Sequence, residues 1–300
     1  MSRYTGKQHT AEVLAAAEHW KTRCLQQQGS VFSEQSLWNA DNIAQLVTHY
    51  ANNLDAGDGS FTEKLSAQLA DATPAAKQLA AEMLWLMLLG PSNVGPDAKR
   101  SLIAAVWQFA GSDLPSSDWL SDAALEGIGS GGMGYNTNRW REFLFFIHMM
   151  AAFFRLDDGQ RQALLQDHQQ FAQWLEKIED AEVRQFRHML LYLLFPDYFE
   201  RIFSAADRKQ VVTQLAGLSN REYQALTPFE VDQQLAAIRQ QWQQQLESTG
   251  QDSTKLDFYL APLRQRWKDT PNSAKVQSML PTATTRAITK SAKRLLNISR

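Results

Sequence analysis

The sequence predicts an all-α protein, a multi-helix globular domain built as an irregular helical array with little or no β structure. Apolar residues recur at helical spacing along most of the chain. No run of alternating β-branched residues stands between turn residues, as strands would require. No unit of about 20 to 50 residues repeats, which counts against a regular solenoid. The 300 residues are enough for one large domain or two smaller ones.

Helix starts and stops are recognisable in the first half of the chain. Ser60 and Glu63 have the spacing of a capping box. Thr73 and Pro74 supply an N-cap and a first-turn proline for a helix that Gly90 would end. We expect helices over residues 10–28, from a cap at Asn39 or Asp41 to residue 50, from residue 61 to 69, over 75–89 and over 96–110, and a short amphipathic one over 117–126.

The second half of the chain is predicted to be helical as well. Asp157, Asp158 and Gly159 are typical of a turn. Thr227 and Pro228 begin a long helix whose exposed face is rich in glutamine. We expect helices over residues 139–156, 160–177, 180–194, 205–215 and 228–247, and the segment 256–267 closes the compact region.

Residues 187–212 contain the most informative local pattern. The stretch 189–195 is apolar on every face, which indicates a fully buried helix, and Pro196 must end it. Asp197 can then cap a further helix, whose polar side chains, among them Arg201, Arg208 and Lys209, would point away from the core. This pattern predicts a helix, a rigid corner and a second helix at the centre of the protein.

Composition and charge exclude some classes of protein. The net charge of -2 argues against a surface that grips nucleic acid all round, although a local basic patch is compatible with it. The lone cysteine, Cys24, cannot form an intramolecular disulfide, which favours a reducing cytoplasm. The N-terminus shows no signal-peptide pattern. The longest apolar runs, 83–89 and 143–154, are shorter than the ~18 residues that suggest a membrane span.

Three segments follow from these patterns. We expect an N-terminal helical subdomain over residues 1–126, a second helical subdomain over 127–268, and a basic tail or linker over 269–300. The tail has six cationic residues against a single acid, Asp269. A linker or frayed helix is the favoured interpretation of the tail, and contact with nucleic acid or an acidic partner is the alternative.

The glycine-rich loop at residues 127–134 matches G-x-G-x-x-G, but its context does not. A dinucleotide fingerprint follows a strand within a βαβ unit, whereas this loop follows a helical pattern. A Walker A loop would continue with Lys and Ser or Thr, where this chain has Tyr135 and Asn136. Glycines that permit close packing are the favoured interpretation. A phosphate site at the helix start near Asn136, Thr137 and Arg139 is the alternative.

No catalytic constellation stands out. Pro196-Asp197 followed by Asp207 and Lys209 resembles the metal-nuclease pattern PD-(D/E)-x-K, but the strands that bring such groups together are missing. The six histidines lack metal-ligand spacing, and His148 and His188 lie in apolar helices as core histidines do. The sequence therefore predicts no catalytic residue, no metal site and no cofactor.

Three segments taken together resemble one family. They are GIGSGGMGYNTNR at 127–139, LLYLLFPDYFERIFS at 190–204 and LDFYLAPLRQRW at 256–267. In this order they are similar to the region that precedes the motor in many bacterial McrB-like AAA ATPases, proteins related to methylcytosine-specific restriction systems. The resemblance covers roughly residues 125–268 and extends weakly toward the N-terminus.

The resemblance implies a helical module that precedes a nucleotide-hydrolysing ring motor and serves target sensing, recruitment or assembly in a restriction or defence system. It does not imply catalysis by these residues. The chain departs from the family because it carries no Walker A or B segment, so the motor is expected as a partner, in cis or in trans, with any oligomer formed through it. A fragment, a truncated product and a stand-alone chain all fit the sequence.

Three functional hypotheses therefore stand. The first is a non-catalytic recognition or assembly module acting with an AAA motor. The second is direct nucleic-acid binding by a helical domain, and the third is an enzyme of unrecognised type. Cationic residues that could contact nucleic acid or a partner are Arg139, Arg141, Arg184, Arg187, Arg201, Arg208, Lys209, Lys290, Lys293 and Arg294.

Overall fold

The all-α prediction is confirmed. The computed structural model describes residues 3–55 and 57–268, and over these ranges it contains fifteen α-helices and no β-sheet, with extended pairing limited to one isolated bridge between Pro91 and Gly129. The helices are α1 (Thr10–Trp20), α2 (Ala40–Leu46), α3 (Phe61–Gln68), α4 (Pro74–Leu89), α5 (Pro96–Trp107), α6 (Asp122–Leu125), α7 (Met133–Thr137), α8 (Arg139–Phe154), α9 (Asp158–Gln166), α10 (His168–Leu175), α11 (Gln185–Leu194), α12 (Ala205–Leu215), α13 (Asn220–Gln224), α14 (Pro228–Ser248) and α15 (Leu263–Trp267). None of the described helices is both long and apolar enough to cross a membrane.

The helix caps follow the sequence closely. Ser60 and Glu63 form the predicted capping box at the start of α3. Thr73 accepts a hydrogen bond from the Ala76 amide ahead of α4, and Thr227 caps α14 in the same way with Glu230 completing the box. These caps satisfy amides that the first turn of a helix leaves unpaired, so they fix where each helix begins.

Some predicted boundaries were wrong. The expected helix 160–177 is two helices, because Asp167 accepts hydrogen bonds from the amides of Gln169 and Gln170 and starts α10 there. Helix α9 begins at Asp158, two residues earlier than expected, because Asp157 caps it. Helix α13 was not predicted. Short polar helices such as α13 carry too few apolar residues to show a period.

The corner after α11 is a turn, not the start of a second helix. Helix α11 ends at Leu194, as the proline predicts, but Asp197 caps nothing and instead receives two hydrogen bonds from Arg3, at 2.8 and 2.7 Å. Residues 199–203 are all buried, and α12 starts only after Ser204. The apolar spacing that suggested an amphipathic helix arises because this segment runs through the interior, where every side is covered.

The buried apolar residues form two clusters. The larger runs from Val13 to Phe203 and surrounds α4, of which residues 79–89 are all buried. The smaller runs from Ile202 to Trp267 and is built by α12, α14 and α15. Packing in the larger cluster therefore crosses the proposed 126/127 subdomain boundary, and the clusters separate near residue 203.

The glycine-rich loop packs against the end of α4. The amides of Ile128 and Gly129 donate to the carbonyl of Gly90, at 2.9 and 3.0 Å, and the Ser92 amide donates to the carbonyl of Gly129 at 2.7 Å. Gly127 has φ +78° and lies so close to the Pro91 backbone that no side chain fits. The close-packing interpretation of these glycines is therefore the one that the structure supports.

Lys99 is an unusual part of this packing. Its ammonium is buried and donates to the carbonyls of Pro91 and Leu125, both at 2.6 Å. No carboxylate pairs with it among the described residues, and burial lowers the pKa of Lys99 from 10.5 to about 7. Lys99 thus links Pro91, in the segment against which the glycine-rich loop packs, to Leu125 at the end of α6.

Lys99→Met should change how folding depends on pH. Between about pH 7 and 10.5 the unfolded chain binds a proton at Lys99 that the folded chain has lost, so the wild-type free energy of unfolding rises with pH. We expect it to gain about 1.4 kcal/mol per pH unit relative to Lys99→Met, measured by urea denaturation between about pH 7.5 and 9.5. Parallel pH profiles for the two proteins would show that the carbonyls keep the ammonium charged after folding.

Candidate ligand-binding cleft

The three segments of the family resemblance meet at one side chain. Arg201, in the second segment, donates to both carboxylate oxygens of Asp257 in the third, at 2.7 and 2.6 Å. Its guanidinium also donates to the carbonyl of Ile128 in the first segment, at 2.8 Å, and to the carbonyl of Thr5 at 3.2 Å. The three segments, which lie far apart in the sequence, therefore pack together in this fold.

Other predicted contact residues are internal as well. Arg187 and Arg208 both pair with Asp232, Arg187 at 3.1 Å, and Arg184 pairs with Asp180 at 3.2 Å. Each of these arginines has less than a tenth of its surface exposed. The expectation that Arg201 and Arg208 point away from the core is wrong, because both spend their hydrogen bonds on buried carboxylates. In this conformation none of these four arginines is exposed for contact with a partner: Arg184, Arg187, Arg201 and Arg208.

The remaining predicted cations differ in position. Lys209 is half-buried on α12, and Arg141 is exposed on α8 with its guanidinium 4.9 Å from the centre of the Trp140 ring. Arg139 is half-buried at the first turn of α8. Lys290, Lys293 and Arg294 lie outside the described residues. Among the residues that the structure describes, Arg139, Arg141 and Lys209 therefore remain as candidates for contact with nucleic acid or a partner.

The residues of the nuclease-like pattern are used separately. Asp197 pairs with Arg3, whereas Asp207 accepts a hydrogen bond from the Tyr259 hydroxyl at 2.9 Å. Across the described residues, no group of His, Cys, Asp and Glu side chains is arranged to hold a metal ion. Cys24 is buried, and desolvation raises the pKa of its thiol, which disfavours the nucleophilic thiolate.

A cleft of about 540 Å³ lies between α3, the turn that follows α2, and the junction of α7 with α8. Three aromatic rings contribute to its walls. Tyr50 and Phe61 each pack edge-on against the buried Phe143, with ring centres 5.0 and 6.0 Å apart, and Trp140 is 40% exposed. The lining residues are Tyr50, Leu54, Asp55, Gly59, Phe61, Lys64, Gln68, Asn136, Thr137, Arg139 and Trp140.

Helices α7 and α8, which carry Asn136 and Arg139, are anchored to the rest of the fold by hydrogen bonds. The hydroxyl of Tyr135 in α7 donates to the carbonyl of Met87 at 2.9 Å, inside the core. Glu142 in α8 accepts hydrogen bonds from the amides of Gln185 and Phe186 at the start of α11, at 3.4 and 2.9 Å. Rigid supports of this kind preorganise a binding site.

Among the buried and half-buried arginines that the structure describes, Arg139 is the one without a carboxylate partner. Its guanidinium lies 5.8 Å from the centre of the Phe61 ring, and burial lowers its pKa. No carboxylate of the described residues pairs with it, unlike every other described arginine that is buried or half-buried. Those paired arginines are Arg23, Arg100, Arg161, Arg184, Arg187, Arg201, Arg208 and Arg239. A partly desolvated charge without a partner is unfavourable, so Arg139 is poised to bind an external anion.

Asn136 adds a second unsatisfied group in the same cleft. Its side-chain oxygen Oδ1 is buried and has no hydrogen-bond partner. Six other buried side-chain atoms of the described residues also lack a partner, on Trp20, Trp107, Arg184, Gln185 and Arg187, but Asn136 is the one of these residues that lines the cleft, where a ligand donor could satisfy it. Asn136 and Arg139 together offer an acceptor and a cation beside aromatic walls.

Sequence reasoning found part of this site. The helix start near Asn136 and Arg139 was recognised as a possible phosphate site, and Arg139 was among the predicted contact residues. It missed Tyr50, Phe61 and Lys64, because these come from the N-terminal half and nothing in the local sequence indicates which aromatic residues meet Arg139. The capping box at Ser60 did place Phe61 at the first position of a helix.

Comparisons with protein-family models, with curated proteins and with solved structures found no match to this chain.

Two arginine variants should separate structural from functional charge. Arg201→Met leaves the buried carboxylate of Asp257 unpaired and should lower the free energy of unfolding by about 3 to 5 kcal/mol. Arg139→Met removes an uncompensated charge and should leave stability unchanged or slightly higher. Both are measured by urea denaturation at one pH. A comparable loss in Arg139→Met would show that Arg139 holds the fold together.

Proposed function

We propose that this chain is a non-catalytic recognition or assembly module that works with a McrB-like AAA ATPase and carries its recognition site in the Arg139 cleft. The observation that supports it most directly is the unpaired, half-buried Arg139 beside the unsatisfied oxygen of Asn136. A cation and a hydrogen-bond acceptor beside aromatic walls are features of a binding site. Arg139 lies at the end of the first family-like segment.

Packing around Arg201 also supports this proposal. The side chain joins segments that lie far apart in the sequence through hydrogen bonds to Asp257 and to the carbonyl of Ile128. Residues that hold a fold together can be shared by proteins with that fold, even when none of these residues performs chemistry. The resemblance to the region before an AAA motor is therefore consistent with a shared scaffold whose work is binding.

The test is association with the motor. The full chain is mixed with the McrB-like AAA ATPase encoded in the same genome, and we expect co-elution on size exclusion and a change of about fivefold or more in ATP hydrolysis. Co-elution and ATP hydrolysis are also measured for Arg141→Ala, on the exposed face beside the cleft, and for the control Arg221→Ala, which changes an exposed arginine on α13. Neither co-elution nor a changed hydrolysis rate would contradict the proposal.

Direct nucleic-acid binding is the second candidate, favoured by the exposed pair of Trp140 and Arg141. An aromatic ring with a guanidinium stacked on it is a platform that bases use. Contacts from Arg139, Arg141 and Lys209 would neutralise about three phosphates, so affinity for single-stranded DNA should fall about 10-fold between about 50 and 150 mM salt. Fluorescence anisotropy measures this, and binding that is absent or independent of salt would rule the candidate out.

A further inference from the structure

The chemistry of the Arg139 cleft specifies its ligand more closely than the proposed function does. The cleft combines an apolar aromatic wall, a cation without a counterion and a buried hydrogen-bond acceptor. A ligand that satisfies all three has a flat ring, a negative charge and an N–H group. The volume of the cleft, about 540 Å³, falls in the range of small-molecule sites.

Each feature excludes a class of small molecule. Sugar phosphates carry the charge but offer no flat ring to Phe61 and Trp140. Aromatic amino acids carry a ring and a carboxylate, but their ammonium group lies beside that carboxylate and would come close to the guanidinium of Arg139. Nucleotides have a ring, an N–H donor and a phosphate, and no fixed positive charge. They alone among these classes match every group of the cleft.

The charge of the lining sets the number of phosphates. Two lining side chains are cationic, Arg139 and Lys64, and one, Asp55, is anionic, which leaves a net charge of +1. The lining contains no glycine-rich phosphate loop of the Walker type. A triphosphate would bring several negative charges to this lining, whereas a monophosphate, with a charge of about -1.5 to -2, comes closest to balancing it.

We propose that the cleft binds a free nucleoside monophosphate. The base lies among Phe61, Tyr50 and Trp140 and donates an N–H to Asn136 Oδ1, while the phosphate receives the guanidinium of Arg139. The inference rests on the proposed function only in that the cleft is the recognition site of the chain. It makes this helical module a sensor of a small nucleotide.

Isothermal titration calorimetry tests the inference on the full chain, together with quenching of tryptophan fluorescence, to which Trp140 is one of nine contributors. The probes are AMP, GMP, CMP and UMP, with the matching nucleosides and a single-stranded oligonucleotide of about ten residues. At least one monophosphate should bind with a Kd below about 1 mM, and its nucleoside should bind about tenfold more weakly. No binding of any monophosphate up to about 5 mM overturns the inference. Binding of the oligonucleotide alone overturns it too, in favour of a base supplied by a nucleic-acid strand.

Variants locate the site. Arg139→Met should weaken the bound monophosphate about tenfold or more, and Asn136→Leu should weaken both nucleotide and nucleoside. Arg221→Met removes a charge of the same kind from an exposed position on α13 and should bind as the wild type does. Equal affinity in wild type and Arg139→Met overturns the assignment. Circular dichroism of each variant confirms its fold.

The nucleotide and the motor are tested by different readouts, so the two proposals can fail separately. Nucleotide binding without motor association would overturn the proposed function and leave the cleft assignment standing. Motor association without nucleotide binding would do the opposite. A change of nucleotide affinity on adding the motor would show that the site and the motor surface are coupled.

Discussion

The fold depends on the buried guanidinium of Arg201. It lies where the chain after Thr5, the glycine-rich loop and the segment before α15 come together, and its donors reach a carboxylate and two main-chain carbonyls. Main-chain carbonyls that are neither in helices nor in contact with water must find donors, and a five-donor fork can serve several at once. One side chain thus adds a direct link between parts that lie far apart in the sequence.

A seam of charged residues runs between the two apolar clusters. Arg239 forms a two-fold ion pair with Glu200, and Arg187 shares Asp232 with Arg208, so α11, α12 and α14 are joined by buried charge. Replacing such pairs by apolar residues is often neutral or stabilising, so their benefit is not stability alone. An apolar interface tolerates sliding, whereas a bidentate pair has one geometry. The seam thus fixes the register of the smaller cluster on the larger one.

The parts of this structure that the sequence predicted are those governed by local chemistry. The caps at Ser60, Thr73 and Thr227 and the end of α11 before Pro196 follow from atoms within a few residues of each other. Long-range pairs follow a different rule. Arg201 is as polar in the sequence as Arg141, and only the position of Asp257, 56 residues further along the chain, makes the one internal and the other exposed. The same limit hid Tyr50 and Phe61, which face Arg139 only after the fold has formed.

The contrast between Arg139 and the other buried arginines carries the functional argument. A chain that pairs Arg184, Arg187, Arg201, Arg208 and Arg239 with carboxylates places one more guanidinium in a partly desolvated position and gives it only the face of Phe61. A ring face offsets a small part of the desolvation that a carboxylate would offset. In natural proteins, local preferences such as hydrogen bonding and charge pairing agree with the overall fold, except at functional or strained sites. Asn136 Oδ1 is a second unpaired polar group in the same cleft, and a ligand that carries a negative charge and a hydrogen-bond donor would satisfy both.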